Sequence, residues 1–134
     1  MTLSAVEQTL LAEAHQQRQR AHAPWSCFSV GAAVATTDRQ VFGGCNVENV
    51  SFGLSMCAER VAIFKAVSSG ADQFSRLLIL ASPLAPPCGA CRQVMSAFLP
   101  ETAEVISIDA DRPDQIRRWT MGELLPDQFR LKRD

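Results

Sequence analysis

Residues 77–80 read Leu-Leu-Ile-Leu, an uninterrupted apolar run that determines the expected fold of the whole chain. A strand with one face in water alternates apolar and polar residues, whereas an uninterrupted apolar run is typical of a strand buried on both faces. We therefore expect 77–80 to form the central strand of a sheet that carries helices on both sides. This expectation places the chain in the α/β class.

Helix and strand patterns surround this central strand. Apolar residues of 56–67 recur at helical spacing and stop at Gly70, a residue typical of helix ends. A second helical pattern, 91–98, stops before Pro100, and 105–108 form a further apolar strand. The chain therefore makes two crossings from strand to helix to strand. Such parallel crossovers need helices that cover the sheet, which predicts a three-layer α/β/α architecture.

Three further elements complete the prediction. Residues 4–20 form an amphipathic helix with Ser4 as a possible N-cap, and 28–34 and 41–45 form an antiparallel hairpin. The turn of this hairpin contains no glycine, which leaves its type open. A last short strand is expected near Ile116. The central sheet is therefore predicted to be mixed and five-stranded.

Composition limits the kind of protein that this chain can be. Its 134 residues are 47% hydrophobic and 20% charged, with a formal net charge of -1. A chain of this length buries roughly 65 to 70% of its unfolded surface, so we expect residues 1–134 to form a single domain. The charge balance disfavours a nucleic-acid partner and favours a small neutral ligand. The sequence has neither a membrane-span pattern nor a signal-peptide pattern, and a cytoplasmic location is expected.

The chain contains five cysteines, and an odd number in a reducing compartment favours metal or thiol chemistry over disulfides. Cys57 lies at the start of one predicted helix, and Cys88 and Cys91 lie at the start of the next. Because both helices follow strands, their N-termini should meet at one edge of the sheet, where they favour thiolates. Three converging thiolates predict a tetrahedral zinc site whose open position takes water, as in catalytic zinc sites.

Two charged residues follow Cys57 closely. Glu59 lies in the first helical turn, where its carboxylate can reach the space in front of the helix and move protons without binding the metal. Arg60 lies three residues after Cys57 and can donate a hydrogen bond to a ligand sulfur. That bond would offset the excess negative charge that three thiolates leave around a zinc ion.

The cysteine spacing also carries a family resemblance. Cys57-Ala58-Glu59, followed by Pro87-Cys88-Gly89-Ala90-Cys91, resembles the three-cysteine form of the zinc deaminase motif. Outside residues 109–118, nearly the whole chain is similar to the small homotetrameric cytidine deaminases, within the cytidine and deoxycytidylate deaminase superfamily. The similar segments are Pro24-Trp25-Ser26-Cys27-Phe28, Val30-Gly31-Ala32-Ala33, Gly44-Cys45-Asn46-Val47-Glu48-Asn49, Cys57-Ala58-Glu59-Arg60, Cys91-Arg92-Gln93-Val94 and Glu123-Leu124-Leu125-Pro126 with Phe129.

The resemblance implies a reaction and a cofactor. One Zn²⁺ per chain would be bound by Cys57, Cys88 and Cys91. The reaction would be hydrolytic deamination of cytidine and 2'-deoxycytidine to uridine and 2'-deoxyuridine plus ammonia, a step of pyrimidine salvage. Glu59 would take a proton from water, pass it to N3 of cytosine, and protonate the departing ammonia.

The resemblance also implies how the nucleoside is held. Asn46 and Glu48 would bind the ribose 3'-hydroxyl, because an amide and a carboxylate satisfy a hydroxyl as donor and acceptor. Phe28 would pack against the base, and the backbone of Ala58 would contact the exocyclic amine. Phe129 would enter a neighbouring subunit's pocket, which implies a homotetramer with active sites at subunit interfaces.

Two features depart from the family pattern. The chain has no tyrosine, and Trp25 and Phe52 stand where relatives often have one. The loss of two phenolic hydroxyls would leave the subunit interface more dependent on packing. Residues 109–118, rich in Asp and Arg, also replace the usual short hairpin, and the sequence assigns them no role.

Alternative interpretations of the cysteines and of the substrate remain open. Cys88 and Cys91 alone could form a redox dithiol of the thioredoxin kind. A purely structural zinc site would need a fourth protein ligand, for which His15 and His22 are the candidates. A deaminase acting on a cytosine-containing antibiotic is the nearest alternative enzyme, and the proposed ribose-binding pair opposes it. A polynucleotide deaminase would need a basic groove or stacking platform, which the net charge does not favour.

Other side chains could have structural roles only. Asn46 and Glu48 could order a turn, and Phe129 could pack in the core. Arg60 and Arg92 could both be exposed helix charges. The two remaining cysteines, expected to be small buried packing residues, are Cys27 and Cys45.

Overall fold

The computed structural model describes residues 2–131. Its sheet has five strands in the order β2-β1-β3-β4-β5. β3 and β4 are parallel, and the other neighbouring pairs are antiparallel. The strands are β1 Gly31–Thr36, β2 Val41–Cys45, β3 Phe74–Ala81, β4 Glu104–Asp109 and β5 Ile116–Thr120. The sheet is therefore mixed, and β3, which contains 77–80, lies at its centre as predicted.

Four helices pack around this sheet: α1 Ala5–Gln19, α2 Ala58–Ser68, α3 Gly89–Ser96 and α4 Met121–Leu124. A short 3-10 turn, Phe52–Leu54, precedes α2. α2 joins β2 to β3, and α3 joins β3 to β4. β2 and β3 are both antiparallel to β1 and therefore run in the same direction, and β3 and β4 are parallel. Both helices thus connect strands that run in the same direction. Within residues 2–131, no helix is long and apolar enough to cross a membrane.

The side chains of β3 form two separate hydrophobic cores. Leu77 and Ile79 pack in the core that contains α2 and α3. Leu78 and Leu80 pack in the other core, against Leu10 and its neighbours in α1. All four β3 side chains are buried, so both faces of the strand are covered. The predicted three-layer α/β/α architecture is thus confirmed.

The first strand of the hairpin is displaced from its prediction, since β1 is Gly31–Thr36 and not 28–34. β1 begins at Gly31, three residues after the predicted start, because the side chain of Asn46 binds the preceding backbone in place of a neighbouring strand. In the turn, Arg39 takes the left-handed backbone conformation, with φ of 70°, that a glycine would commonly supply.

Gly44 of β2 lets α2 approach the sheet closely. A Cβ atom at Gly44 would lie 2.4 Å from the backbone nitrogen of Ala62 and 2.7 Å from the backbone oxygen of Ala58. Any larger residue would therefore displace the first turns of α2. This contact fixes the position of the helix that follows Cys57.

Glu7, in the first turn of α1, is a buried carboxylate bound by two arginines. Its oxygens accept hydrogen bonds of 2.8 and 3.0 Å from Arg118 and of 3.0 Å from Arg76. The Arg118 guanidinium is the main cause that lowers the pKa of Glu7 from its ordinary value of 4.5 to about 2. The ionised form of Glu7 therefore stabilises the folded state.

Replacement of Glu7 by Gln should reduce stability in a pH-dependent way. Since the pKa of Glu7 is lower in the folded chain, its contribution is complete above pH 4.5 and is lost as the pH falls towards 2. We expect Glu7→Gln to lower the free energy of unfolding at pH 7 by about 3 kcal/mol at most, and the difference from wild type to shrink below pH 4.5. Urea unfolding across this pH range measures both effects.

The matched control is Glu101→Gln. The ion pair of Glu101 with Arg130 is about two-thirds exposed, and exposed pairs contribute little to stability. Equal losses in Glu7→Gln and Glu101→Gln at pH 7 would contradict the role given to the buried carboxylate.

Candidate active site

Three cysteine side chains converge where α2 and α3 begin. Cys57 is the N-cap residue of α2, Cys88 is the N-cap residue of α3, and Cys91 lies in the first turn of α3. Their sulfur atoms all lie within 4.8 Å of one another. The two helix N-termini therefore meet at one edge of the sheet, as the sequence predicts.

The spacing of these sulfurs fits a zinc ion. A tetrahedral zinc site with Zn–S bonds of about 2.3 Å requires sulfurs about 3.8 Å apart. The Sγ atoms of Cys57 and Cys88 are 3.8 Å apart. Within residues 2–131, the cluster contains the three cysteines only, and neither His15 nor His22 belongs to it. The donor set is that of a zinc site with one position left for a non-protein ligand, which disfavours a purely structural zinc.

The electrostatic surroundings of the cluster favour the thiolate form of Cys57. Arg60 donates a hydrogen bond of 3.3 Å from Nη2 to the Sγ atom of Cys57. Hydrogen bonding with Cys91 is the main cause that lowers the pKa of Cys57 to about 5, and Arg60 lowers it further. The same contact with Cys57 raises the pKa of Cys91. The surroundings therefore favour the thiolate form of Cys57, and the Arg60 guanidinium lies where it can compensate that charge.

Glu59 is a buried carboxylic acid beside this cluster. It lies in the first turn of α2, and 5% of the residue is exposed. Burial is the main cause that raises the pKa of Glu59 to about 7, and the negative charge of Cys57 adds to the effect. A carboxyl group with such a pKa can both accept and donate a proton near neutral pH.

A cavity of about 180 Å³ joins the cluster to Glu59 at the carboxyl end of β3. Of the residues predicted from the sequence, the cavity is lined by Phe28, Asn46, Cys57, Ala58, Glu59 and Cys88. The C-x-x-C pair is thus part of a three-thiol site with a buried acid, which a redox dithiol does not need. The small cavity therefore combines metal ligands, an acid and an aromatic ring.

Asn46 and Glu48 are both bound to the segment that carries Phe28. The side chain of Asn46 accepts a hydrogen bond of 2.9 Å from Val30 N and donates one of 2.7 Å to the Phe28 carbonyl oxygen. Glu48 lies outside the cavity lining and accepts hydrogen bonds from the backbone of Trp25 and Ser26. The structure thus shows a turn-ordering role for both residues.

Phe129 is 71% exposed and does not line the cavity of its own chain. The alternative that Phe129 packs in the core is therefore wrong. Its exposure is matched by other large apolar side chains of the loop between β2 and α2, which are Val50, Phe52 and Leu54.

One expectation about the remaining cysteines is wrong. Cys27 is exposed, with φ of 58°, because its neighbours Ser26 and Phe28 are held by side-chain hydrogen bonds in a tight turn. Cys45 is half-buried at the end of β2. Neither Cys27 nor Cys45 belongs to the metal cluster.

Arg92 has a structural role that the sequence left open. It donates a hydrogen bond of 2.8 Å to the carbonyl oxygen of Pro87 and one of 3.1 Å to that of Leu124. Arg92 therefore ties the start of α3 to the end of α4. No sequence pattern indicates this link, because the acceptor in α4 is the backbone oxygen of Leu124, which is distant in the chain.

Residues 109–118 form the connection from β4 into β5. Asp109 accepts hydrogen bonds from the backbone nitrogens of Asp111, Arg112 and Leu84. A groove of about 790 Å³ lies beside this connection, and it contains none of the predicted site residues. The unusual segment therefore joins two antiparallel strands, with Asp109 in β4, 116–118 in β5 and an ordered loop between them.

The fold and the site define a class of protein, a zinc enzyme in which an α/β/α sheet presents three thiolates and a buried acid. Residues 4–107 match the family model described as the cytidine and deoxycytidylate deaminase zinc-binding region. The chain therefore belongs to the cytidine and deoxycytidylate deaminase family, and Cys57, Cys88 and Cys91 are its zinc ligands.

Individual relatives agree with this assignment. The chain is 43% identical over 124 residues to the cytidine deaminase of Halalkalibacterium halodurans, and the aligned region covers 91% of this chain and 92% of the relative. It is 27% identical over 107 residues to the blasticidin-S deaminase of Bacillus cereus, across 72% of this chain and 74% of that one. The crystal structure of cytidine deaminase from Burkholderia pseudomallei superposes with a TM-score of 0.86 at 40% identity, across 95% of this chain and 100% of that chain.

Proposed function

We propose that the protein hydrolyses cytidine and 2'-deoxycytidine to uridine and 2'-deoxyuridine plus ammonia, as a step of pyrimidine salvage in the cytoplasm. The observation that carries this proposal is the position of Glu59, which is buried in the same cavity as Cys57 and Cys88. When bound, zinc supplies Lewis-acid chemistry that lowers the pKa of water. The names of two relatives, at 43% and 40% identity, support cytidine as substrate.

Glu59 moves the protons of the proposed reaction. Its carboxylate accepts a proton from the attacking water and delivers it to N3 of the cytosine ring. It then takes the proton of the hydroxyl group that has been added at C4 and donates it to the exocyclic amino group, which leaves as ammonia while the C4 carbonyl forms. One buried carboxyl group suits both steps because its pKa of about 7 allows transfer in either direction.

The same cavity supplies contacts for the nucleoside. The Phe28 ring packs against the base, and the backbone of Ala58 contacts the exocyclic amine. Asn46 uses one amide hydrogen on the Phe28 carbonyl, and its second amide hydrogen remains for a sugar hydroxyl. Glu48 lies outside the cavity lining, and its carboxylate accepts a hydrogen bond from the same sugar hydroxyl, the 3'-hydroxyl.

A panel of substrates followed by ultraviolet absorbance tests this function. We expect the absorbance of the cytosine base to be lost with cytidine and with 2'-deoxycytidine. The absorbance should fall much more slowly with free cytosine, because it has no sugar to contact the protein. Faster turnover of blasticidin S than of cytidine would make the protein an antibiotic deaminase. Insulin reduction without any deamination would support the redox dithiol instead.

We also propose the assembly in which this site is complete. Each subunit is a single domain, 1–134, and four copies form a homotetramer with active sites at the interfaces. The 71% exposure of Phe129 supports this arrangement, because the ring is free to enter a neighbouring subunit's pocket. Phe52 and Trp25, which replace common tyrosines, are also exposed and would contribute packing to the interfaces.

Replacement of Phe129 by Ala should weaken substrate binding. Burial of a phenylalanine ring contributes about 1.5 to 3 kcal/mol, so we expect KM for cytidine to rise about tenfold or more. Steady-state kinetics measure this effect. Mixed assemblies of Phe129→Ala and Glu59→Gln subunits should contain sites with an intact Glu59 and a partner's ring, and should recover part of the low KM. An unchanged KM in Phe129→Ala would remove Phe129 from the site.

A further inference from the structure

Ser26 connects two of the proposed substrate-binding residues. Its hydroxyl donates a hydrogen bond to Oε2 of Glu48. The same hydroxyl oxygen accepts a hydrogen bond of 3.0 Å from the backbone nitrogen of Phe28. Glu48 also accepts hydrogen bonds from the backbone nitrogens of Trp25, at 3.1 Å, and of Ser26, at 3.2 Å. The carboxylate and the aromatic residue are thus linked through one side chain.

The backbone between these contacts would not hold its shape unaided. Cys27 lies between Ser26 and Phe28 with φ of 58°, a left-handed conformation that costs a non-glycine residue free energy. Such a conformation persists where surrounding contacts impose it. Ser26 supplies the contacts on one side of Phe28, and Asn46 supplies those on the other, at the Phe28 carbonyl and at Val30 N.

We propose that Ser26 is a positioning residue that places Phe28 against the base and orients Glu48 towards the sugar. This inference rests on the proposed function, in which Phe28 and Glu48 contact the nucleoside. Base and sugar recognition are then coupled, because both depend on one hydroxyl. The hydrogen bond from Ser26 is also the main cause that lowers the pKa of Glu48, so this carboxylate stays ionised as an acceptor.

Ser26→Ala tests the proposal through the substrate dependence of its effect. We expect KM for cytidine to rise about tenfold, as befits the loss of a hydrogen bond to a charged group, with kcat within about twofold of wild type. With 3'-deoxycytidine, which lacks the hydroxyl that Glu48 binds, the increase in KM caused by Ser26→Ala should be clearly smaller. Ser26→Thr keeps the hydroxyl and should restore most of the wild-type KM.

Ser29→Ala is the matched control, because the Ser29 hydroxyl makes no hydrogen bond to the described residues, 2–131, and its KM should match wild type. A wild-type KM in Ser26→Ala, or an equal rise for both substrates, would overturn the assignment to Ser26. If Ser26→Ala does not fold, Ser26→Thr and Ser26→Cys are compared instead. A KM for Ser26→Thr as high as the KM for Ser26→Cys would then overturn the assignment. Wild-type protein inactive on every nucleoside would overturn the proposed function itself, and is a distinguishable result.

Discussion

Glu59→Gln should lower kcat for cytidine by about 10³- to 10⁴-fold while the protein keeps its zinc and its fold. The amide has the shape of the carboxyl group but cannot accept and donate a proton, and positioned acid–base groups contribute up to about 10⁴-fold to rates. Zinc should remain because the carboxylate of Glu59 is not in the cluster of ligand atoms. Absorbance kinetics give kcat, and elemental analysis of the same sample gives the zinc content.

Glu101→Gln is a suitable control for this variant, because Glu101 is an exposed residue that pairs with Arg130. Its kcat should equal that of wild type. A Glu59→Gln protein whose kcat stays within tenfold of wild type would mean that another group moves the protons.

Cys88→Ala should abolish zinc binding and lower cytidine turnover by at least about 10³-fold. The variant leaves two thiolates, fewer than the three protein ligands of catalytic zinc sites. The fold should also lose stability, since Cys88 caps α3 by accepting a hydrogen bond of 3.5 Å from Cys91 N, and bound metal stabilises the folded state. Elemental analysis, kinetics and thermal unfolding measure these three effects.

Cys27→Ala provides the matched control for the loss of a thiol. Cys27 is exposed and lies outside the metal cluster, so the variant should keep its zinc and its turnover. The assignment of ligands would be contradicted by a Cys88→Ala protein that retains a full complement of zinc, or by a Cys27→Ala protein that loses it.

Much of the fold could be predicted because buried segments have recognisable patterns of apolar residues in the sequence. The run 77–80 predicted a strand covered on both faces, and the structure divides its side chains between two cores. Side chains that form hydrogen bonds with backbone groups have no comparable sequence pattern. The predicted start of β1 was wrong because the side chain of Asn46 forms the hydrogen bonds of the Phe28 and Val30 backbone. The left-handed conformation of Arg39 could not be predicted because the turn contains no glycine.

The zinc ligands could be predicted for a different reason. The predicted topology places the starts of two helices at one edge of the sheet. Cys57, Cys88 and Cys91 lie at these starts in the sequence, and the structure brings their sulfur atoms into one cluster. Ser26 donates to the Glu48 carboxylate and Arg92 donates to the Leu124 carbonyl oxygen. Both partners are distant in the chain, so the sequence does not indicate them. The exposure of Cys27 depends on the same tight turn and could not be read from composition.

Zinc content per chain shows whether the three cysteines form a metal site. Protein purified without chelator should contain about one zinc per chain, because the three sulfurs of Cys57, Cys88 and Cys91 form one site. Elemental analysis of a sample of known protein concentration gives this ratio. A ratio near one is the predicted result, and protein that is folded but contains no zinc would contradict the account.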